Sequence, residues 1–203
     1  MELRTLGRSE VKVTPMAFGA WAIGGWMWGG AEESEAIKAI QAAFHHGITT
    51  IDTAPVYGFG RSEEIVGKAM QGIRRDSYQV LTKFGMNWKT QQGEPFFDTT
   101  DNEGKPFKMH KWASKERVMQ ECDDSLRRLK TDYIDLYQIH WPDNSTPVHE
   151  TFEAVQRLIE QGKVRAAGVC NYTTALVDEA LKTIQLASNQ VPYSLINRDV
   201  EKE

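Results

Sequence analysis

Four polar residues recur at a constant interval, each at the carboxyl end of a short apolar run. Asp52 and Lys83 lie 31 positions apart, and so do His140 and Asn171. Lys83 and His140 are 57 apart, but Met86–Lys111, 26 residues without a helical period, fall between them and leave 31. A constant unit holding one strand and one helix calls for parallel strands joined by crossover helices. A repeated unit suits a closed (β/α)₈ barrel better than an open doubly wound sheet.

The elements follow from periodicity. Strands are expected over 16–20, 49–53, 78–83, 133–140, 164–171 and 190–193. Helices are expected over 32–46, from an N-cap at Ser62 to 71, and over 114–130, 148–161 and 174–185. The first ends at Gly47, where a glycine C-cap belongs. The 86–111 segment, rich in Gly, Pro, Asp and aromatic residues, reads as a long inserted loop over the active-site face.

Composition narrows the function. A net charge of −4 at 40% hydrophobic residues excludes a disordered chain and argues against a nucleic-acid surface. No run approaches a membrane span, and the start lacks the apolar core of a signal peptide. Cys122 and Cys170 form no metal-ligand or redox pattern, so no metal is expected and a reducing cytoplasm is the expected location. His110, His149, Asp123 and Asp124 read as solvated, and Cys122 as core.

In parallel β/α folds the carboxyl ends of the strands meet at one face, where sites are built. Asp52, Lys83, His140 and Asn171 therefore converge. Tyr57, in the loop after Asp52, projects from the same face. A lysine cation beside a phenol lowers the phenol's pKa, and a carboxylate holds that lysine charged. With a neutral histidine donating to a carbonyl oxygen, the set makes an acid–base site that protonates a nascent alkoxide. It contains no hydride source, so reduction requires a nicotinamide cofactor. Asn171 and Gln190 suit a carboxamide, and Tyr193 suits stacking on a flat ring. Gly58-Phe59-Gly60-Arg61-Ser62-Glu63 misses the G-x-G-x-x-G pattern and follows the second strand, against a Rossmann reading. The segment Gly24–Gly30, with Trp21, offers an aromatic wall for an apolar ligand.

These residues resemble the aldo-keto reductase family, closest to its bacterial NADP-dependent branch. The stretches that carry the resemblance include Ile-Asp-Thr-Ala-Pro-Val-Tyr-Gly from Ile51, Leu-Thr-Lys-Phe from Leu81, Gln-Ile-His-Trp-Pro-Asp from Gln138, Gly-Val-Cys-Asn-Tyr from Gly168 and Gln-Val-Pro-Tyr from Gln190. The resemblance implies a (β/α)₈ barrel that reduces aldehydes or ketones with NADPH. It implies a tetrad of Asp52, Tyr57, Lys83 and His140. It implies nicotinamide contacts from Asn171, Gln190 and Tyr193, with Ala20, Trp21 and Asp52 nearby. Cys170 stands where the family usually has serine.

Six strands are expected where the barrel needs eight, so residues 1–203 are expected to be one barrel domain that continues further. The expected partner is a small carbonyl compound, and the expected state a monomer or weak homo-oligomer. Two other readings use the same residues: a non-catalytic nucleotide-binding redox sensor or regulatory subunit of this fold, and a Schiff-base aldolase working through Lys83.

Overall fold

The computed structural model describes residues 1–202. A short hairpin, β1 (Arg4–Thr5) and β2 (Lys12–Val13), opens the chain. Six barrel strands and five helices follow, beginning with β3 (Ala17–Gly19), α1 (Glu33–His45), β4 (Thr50–Asp52), α2 (Arg61–Ala69) and β5 (Gln79–Phe84). Next come β6 (Met86–Asn87), β7 (Glu94–Thr100), β8 (Pro106–Lys111), α3 (Lys115–Leu129), β9 (Ile134–Ile139), α4 (Val148–Glu160), β10 (Val164–Cys170), α5 (Thr174–Ala180) and β11 (Leu186–Gln190).

Six of these strands form one parallel sheet in the order β11-β10-β9-β5-β4-β3. Neighbours in space are successive barrel strands in sequence, and the helices pack on one side, which is the plan of a (β/α)₈ barrel. Strand residues alternate between two environments, as the period of two requires. Tyr137 and Ile139 of β9 enter the main core beneath the helices, with Phe152, Val155 and Leu158 of α4. Leu136 faces the other way and packs with Ala166, Ala187 and Val11. Val11, in the turn of the opening hairpin, is buried against the base of the sheet. The sequence reading assigned no element to this hairpin, because two-residue strands leave no periodic trace.

Three expectations need correction. The 86–111 segment is not an open loop but a three-stranded antiparallel sheet, β6-β8-β7. Its tip is a tight turn in which the Asp101 carboxylate accepts the Glu103 and Lys105 backbone N–H groups. The last strand ends at Gln190 instead of starting there. Its pairing with β10 runs out at Cys170↔Gln190, and Pro192 has no N–H with which to continue a ladder. Ser62 does not cap α2. The helix starts one residue earlier, after Gly60 in a left-handed conformation, and the Ser62 hydroxyl instead donates to the Ala20 carbonyl at 2.7 Å.

Burial also overturns two surface assignments. His110 and Asp124 are buried rather than solvated, His110 within β8 of the hairpin and Asp124 among Gln120, Arg127 and Lys89. His149 and Asp123 are exposed and Cys122 lies in the core.

Candidate active site

Parallel register brings the strand ends to one level. Lys83 on β5 pairs with Gln138 on β9, one turn of the pleat below His140, while Asp52 ends β4. Lys83 is nearly fully buried and its Nζ has two partners: Asp52 Oδ1 at 2.7 Å and the Thr53 carbonyl at 3.1 Å. Burial opposes the lysine charge, but Asp52 and the other groups around it outweigh that and hold its pKa above the ordinary value.

Tyr57 is held by the loop that follows β4. Its ring lies between Trp21, stacked at 5.5 Å and 17°, and His140, edge-on at 5.6 Å and 82°. The Lys83 ammonium sits 5.2 Å from the ring centroid. Burial raises the phenol's pKa, and the Lys83 charge acts against that rise without reversing it. Lys83 thus lowers the phenol's pKa as expected, and desolvation, the larger effect, leaves the net shift upward. His140 is half-buried and lines the cavity. Burial first, and the Lys83 charge second, push its pKa well below the ordinary histidine value, so the ring is neutral.

The backbone between these groups is fixed from outside. Gly58 approaches Gly24 so closely that a Cβ on Gly58 would stand 1.9 Å from the Gly24 carbonyl oxygen. At φ +68° the position also favours glycine. That contact sets the Tyr57 loop against the Gly24–Gly30 segment.

A cavity of about 420 Å³ opens over this set. Tyr57, Lys83, His140, Cys170, Asn171 and Gln190 line its strand-end side. Trp21, Trp26, Phe96, Phe97 and Trp141 add an aromatic lining, with Met27 and Met86. The sequence reading found the first group and the Trp21–Trp26 part of the second. It missed Phe96, Phe97 and Trp141 as cavity residues. The available signal was the Phe-Phe pair before Asp-Thr-Thr and a turn containing Gly104, a hairpin signature inside what read as a loop.

The amides at the strand ends are pre-set. Asn171 adopts a left-handed conformation, φ +60°, and its Nδ2 donates to the His140 carbonyl at 3.1 Å. Gln190 Nε2 donates to Asp52 Oδ2 at 3.2 Å, and the Cys170 thiol donates to Gln190 Oε1 at 3.4 Å. Ala20 is buried behind Asp52, whose carbonyl accepts the Ala20 N–H. Tyr193 lies outside the cavity, is 60% exposed, and donates its hydroxyl to Glu201. Thus Asp52, Tyr57, Lys83, His140, Trp21, Asn171 and Gln190 converge, while Ala20 stands behind them and Tyr193 apart.

A sequence model described as the Aldo/keto reductase family matches residues 15–203. The chain belongs to the aldo/keto reductase family. The aldo-keto reductase YhdN of Bacillus subtilis is 41% identical over 203 residues, which are 100% of this chain and 56% of that protein. The NADH-specific methylglyoxal reductase of Escherichia coli is 37% identical, covering 98% of this chain and 60% of the relative. The chain thus spans well under two thirds of these relatives' lengths.

Among solved structures, a glycerol dehydrogenase from Gluconobacter oxydans superposes with a TM-score of 0.83 at 39% identity. It accounts for 99% of this chain and 57% of its own. An aldo-keto reductase from Klebsiella pneumoniae in complex with NADPH gives 0.76 at 31% identity, over 100% of this chain and 63% of its own. These likenesses identify the six-stranded parallel sheet as part of an aldo-keto reductase TIM barrel. Among the described residues no helix is long and apolar enough to cross a membrane.

Proposed function

We propose that the aldo-keto reductase to which this chain belongs reduces aldehydes or ketones to alcohols with NADPH. The observation that carries the reading is the convergence of a protonated phenol, a charged lysine and a neutral imidazole on one cavity. A carbonyl oxygen placed between Tyr57 and His140 meets two hydrogen-bond donors, and negative charge growing on it is stabilised there. Tyr57 gives up its proton to that oxygen. The Lys83 ammonium, held by Asp52, then stabilises the phenolate left behind.

The site suits a nicotinamide. Asn171 and Gln190 present amides at the strand ends, and the Oδ1 of Asn171 has no hydrogen bond among the described residues. Trp21 supplies an aromatic surface across the cavity. Asn171 and Gln190 would hold the carboxamide. Ala20, Trp21 and Asp52 would shape the surrounding shell, and Tyr193 would stack on the ring once turned from Glu201. When bound, the reduced cofactor supplies the hydride. NADPH is favoured by the Klebsiella complex, although the Escherichia coli relative is NADH-specific. A cytoplasmic monomer or weak homo-oligomer fits the residues described.

The test is an NADPH-consumption assay on the full-length protein over a panel of aldehydes and ketones, repeated with NADH. Turnover that needs Tyr57 and favours NADPH is expected. Tight NADPH binding with no turnover of any carbonyl compound would instead indicate a redox sensor. A substrate adduct trapped on Lys83 by borohydride would indicate an aldolase.

A further inference from the structure

Phe96 and Phe97 are adjacent in β7, and a regular strand would send them to opposite faces. Both line the cavity. The reason is a break in register: Pro95 pairs with His110 and Phe97 with Met109, so Phe96 is an extra residue opposite no partner. An extra residue of this kind re-aims side chains beside a site. Phe97 stacks on Trp26 at 6.2 Å and 12°, and Phe96 meets Trp141 at 5.3 Å.

The polar groups that flank the two rings on the hairpin and on Trp26 are already engaged. Trp26 Nε1 donates to the Thr100 carbonyl at 3.1 Å. The Lys111 ammonium pairs with Glu94 at 3.0 Å and lies over the Phe96 ring. Glu94 in turn accepts the Asn144 backbone N–H at 2.9 Å, tying the hairpin to the loop after His140. The hairpin strands themselves therefore turn aromatic surface to the cavity, and the flanking indole N–H groups of Trp21 and Trp141 are the donors left on that wall among the described residues.

We infer that Phe96 and Phe97, displayed together by the irregular register of β7, are specificity-determining residues that select carbonyl compounds with a flat aromatic body. The inference rests on the proposed carbonyl reduction and specifies its substrate class. A small polyhydroxylated or dicarbonyl compound would set polar groups against the Phe96 and Phe97 rings, which offer them no hydrogen bond, and that is costly once water is excluded. This departs from the methylglyoxal and glycerol in the names of two relatives. An aromatic ring instead gains a stacking partner without any such loss.

The test compares benzaldehyde with propanal on the full-length protein with NADPH. The KM for benzaldehyde is expected to be lower by about tenfold or more, the scale of pocket discrimination between apolar groups. In Phe97→Ala the benzaldehyde-to-propanal ratio of kcat/KM should fall by about tenfold, and in the milder Phe97→Leu by about threefold. Equal KM values in the wild type, or an unchanged ratio in both variants, would overturn the inference. Calorimetric titration with benzyl alcohol separates this from the reductase reading, because it needs no turnover. Binding lost in Phe97→Ala would uphold the aromatic subsite even if no aldehyde were reduced. No binding to the wild type would sink the subsite even if propanal were reduced.

Discussion

The strand-end side of the cavity and the hairpin side meet across the same space but are held by different forces. Lys83, His140 and Asn171 are fixed by the parallel ladder, and Asp52 by its place at the end of β4. Their spacing along the chain is the spacing of the barrel unit. Phe96 and Phe97 are carried on an antiparallel addition, locked by a few polar contacts such as Glu94–Lys111 and Asn102–Gly24, at 3.0 and 3.2 Å. The barrel ladder keeps regular register from β3 to β10 and shifts only at its last pair, between Ala167 and Gly168 opposite β11. An antiparallel hairpin accepts an extra residue, and here that residue aims two rings at one cavity. The proposed chemistry thus falls on the parallel part and the inferred selectivity on the hairpin.

The comparison can be broken from the strand-end side first. Tyr57→Phe keeps the ring between Trp21 and His140 but removes the proton donor. Turnover should drop by roughly 10²–10⁴-fold while cofactor binding persists. Near wild-type turnover would remove Tyr57 from the role of acid. Lys83→Met leaves the half-buried Asp52 carboxylate without its cation, and urea unfolding should show a loss of up to about 3–5 kcal/mol, the scale for a broken buried pair.

From the other side, Gly93→Ala targets the hairpin alone. Gly93 has φ +92°, and a Cβ there would stand 2.2 Å from the Lys111 carbonyl oxygen. The strain, on the order of 1–3 kcal/mol, should be relieved by local rearrangement. Trp26 fluorescence should change while the far-ultraviolet helical signal stays. Loss of both together would show that hairpin and barrel are one cooperative unit.

The smallest effect concerns pH. His140 has a lower pKa folded than unfolded. Its contribution to stability is present above the unfolded value of about 6.5 and is lost as pH falls below it. The thermal midpoint should decline on acidification through that point, and His140→Gln should flatten the decline. An identical slope in the variant would assign the loss to other groups.

Much of the barrel was legible because its signals are local. Apolar runs in β5, β9 and β10 and the helical periods of α1, α3 and α4 repeat within a few residues, and strand ends converge in any parallel β/α fold. β11 was displaced because Leu-Ala-Ser-Asn-Gln is a weak strand sequence, formed here through its ladder with β10. Ser62 resembled a cap because its alternative partner, the Ala20 carbonyl, is 42 residues away in sequence. The sequence by itself determined the parallel β/α plan, the family, and the level at which Asp52, Tyr57, Lys83 and His140 meet. Only the tertiary structure decided that burial outweighs Lys83 in setting the Tyr57 pKa, that Tyr193 stands outside the cavity, and that Phe96 and Phe97 face the same way. Each of these depends on burial or on register between strands, and neither is carried by a residue's immediate neighbours along the chain.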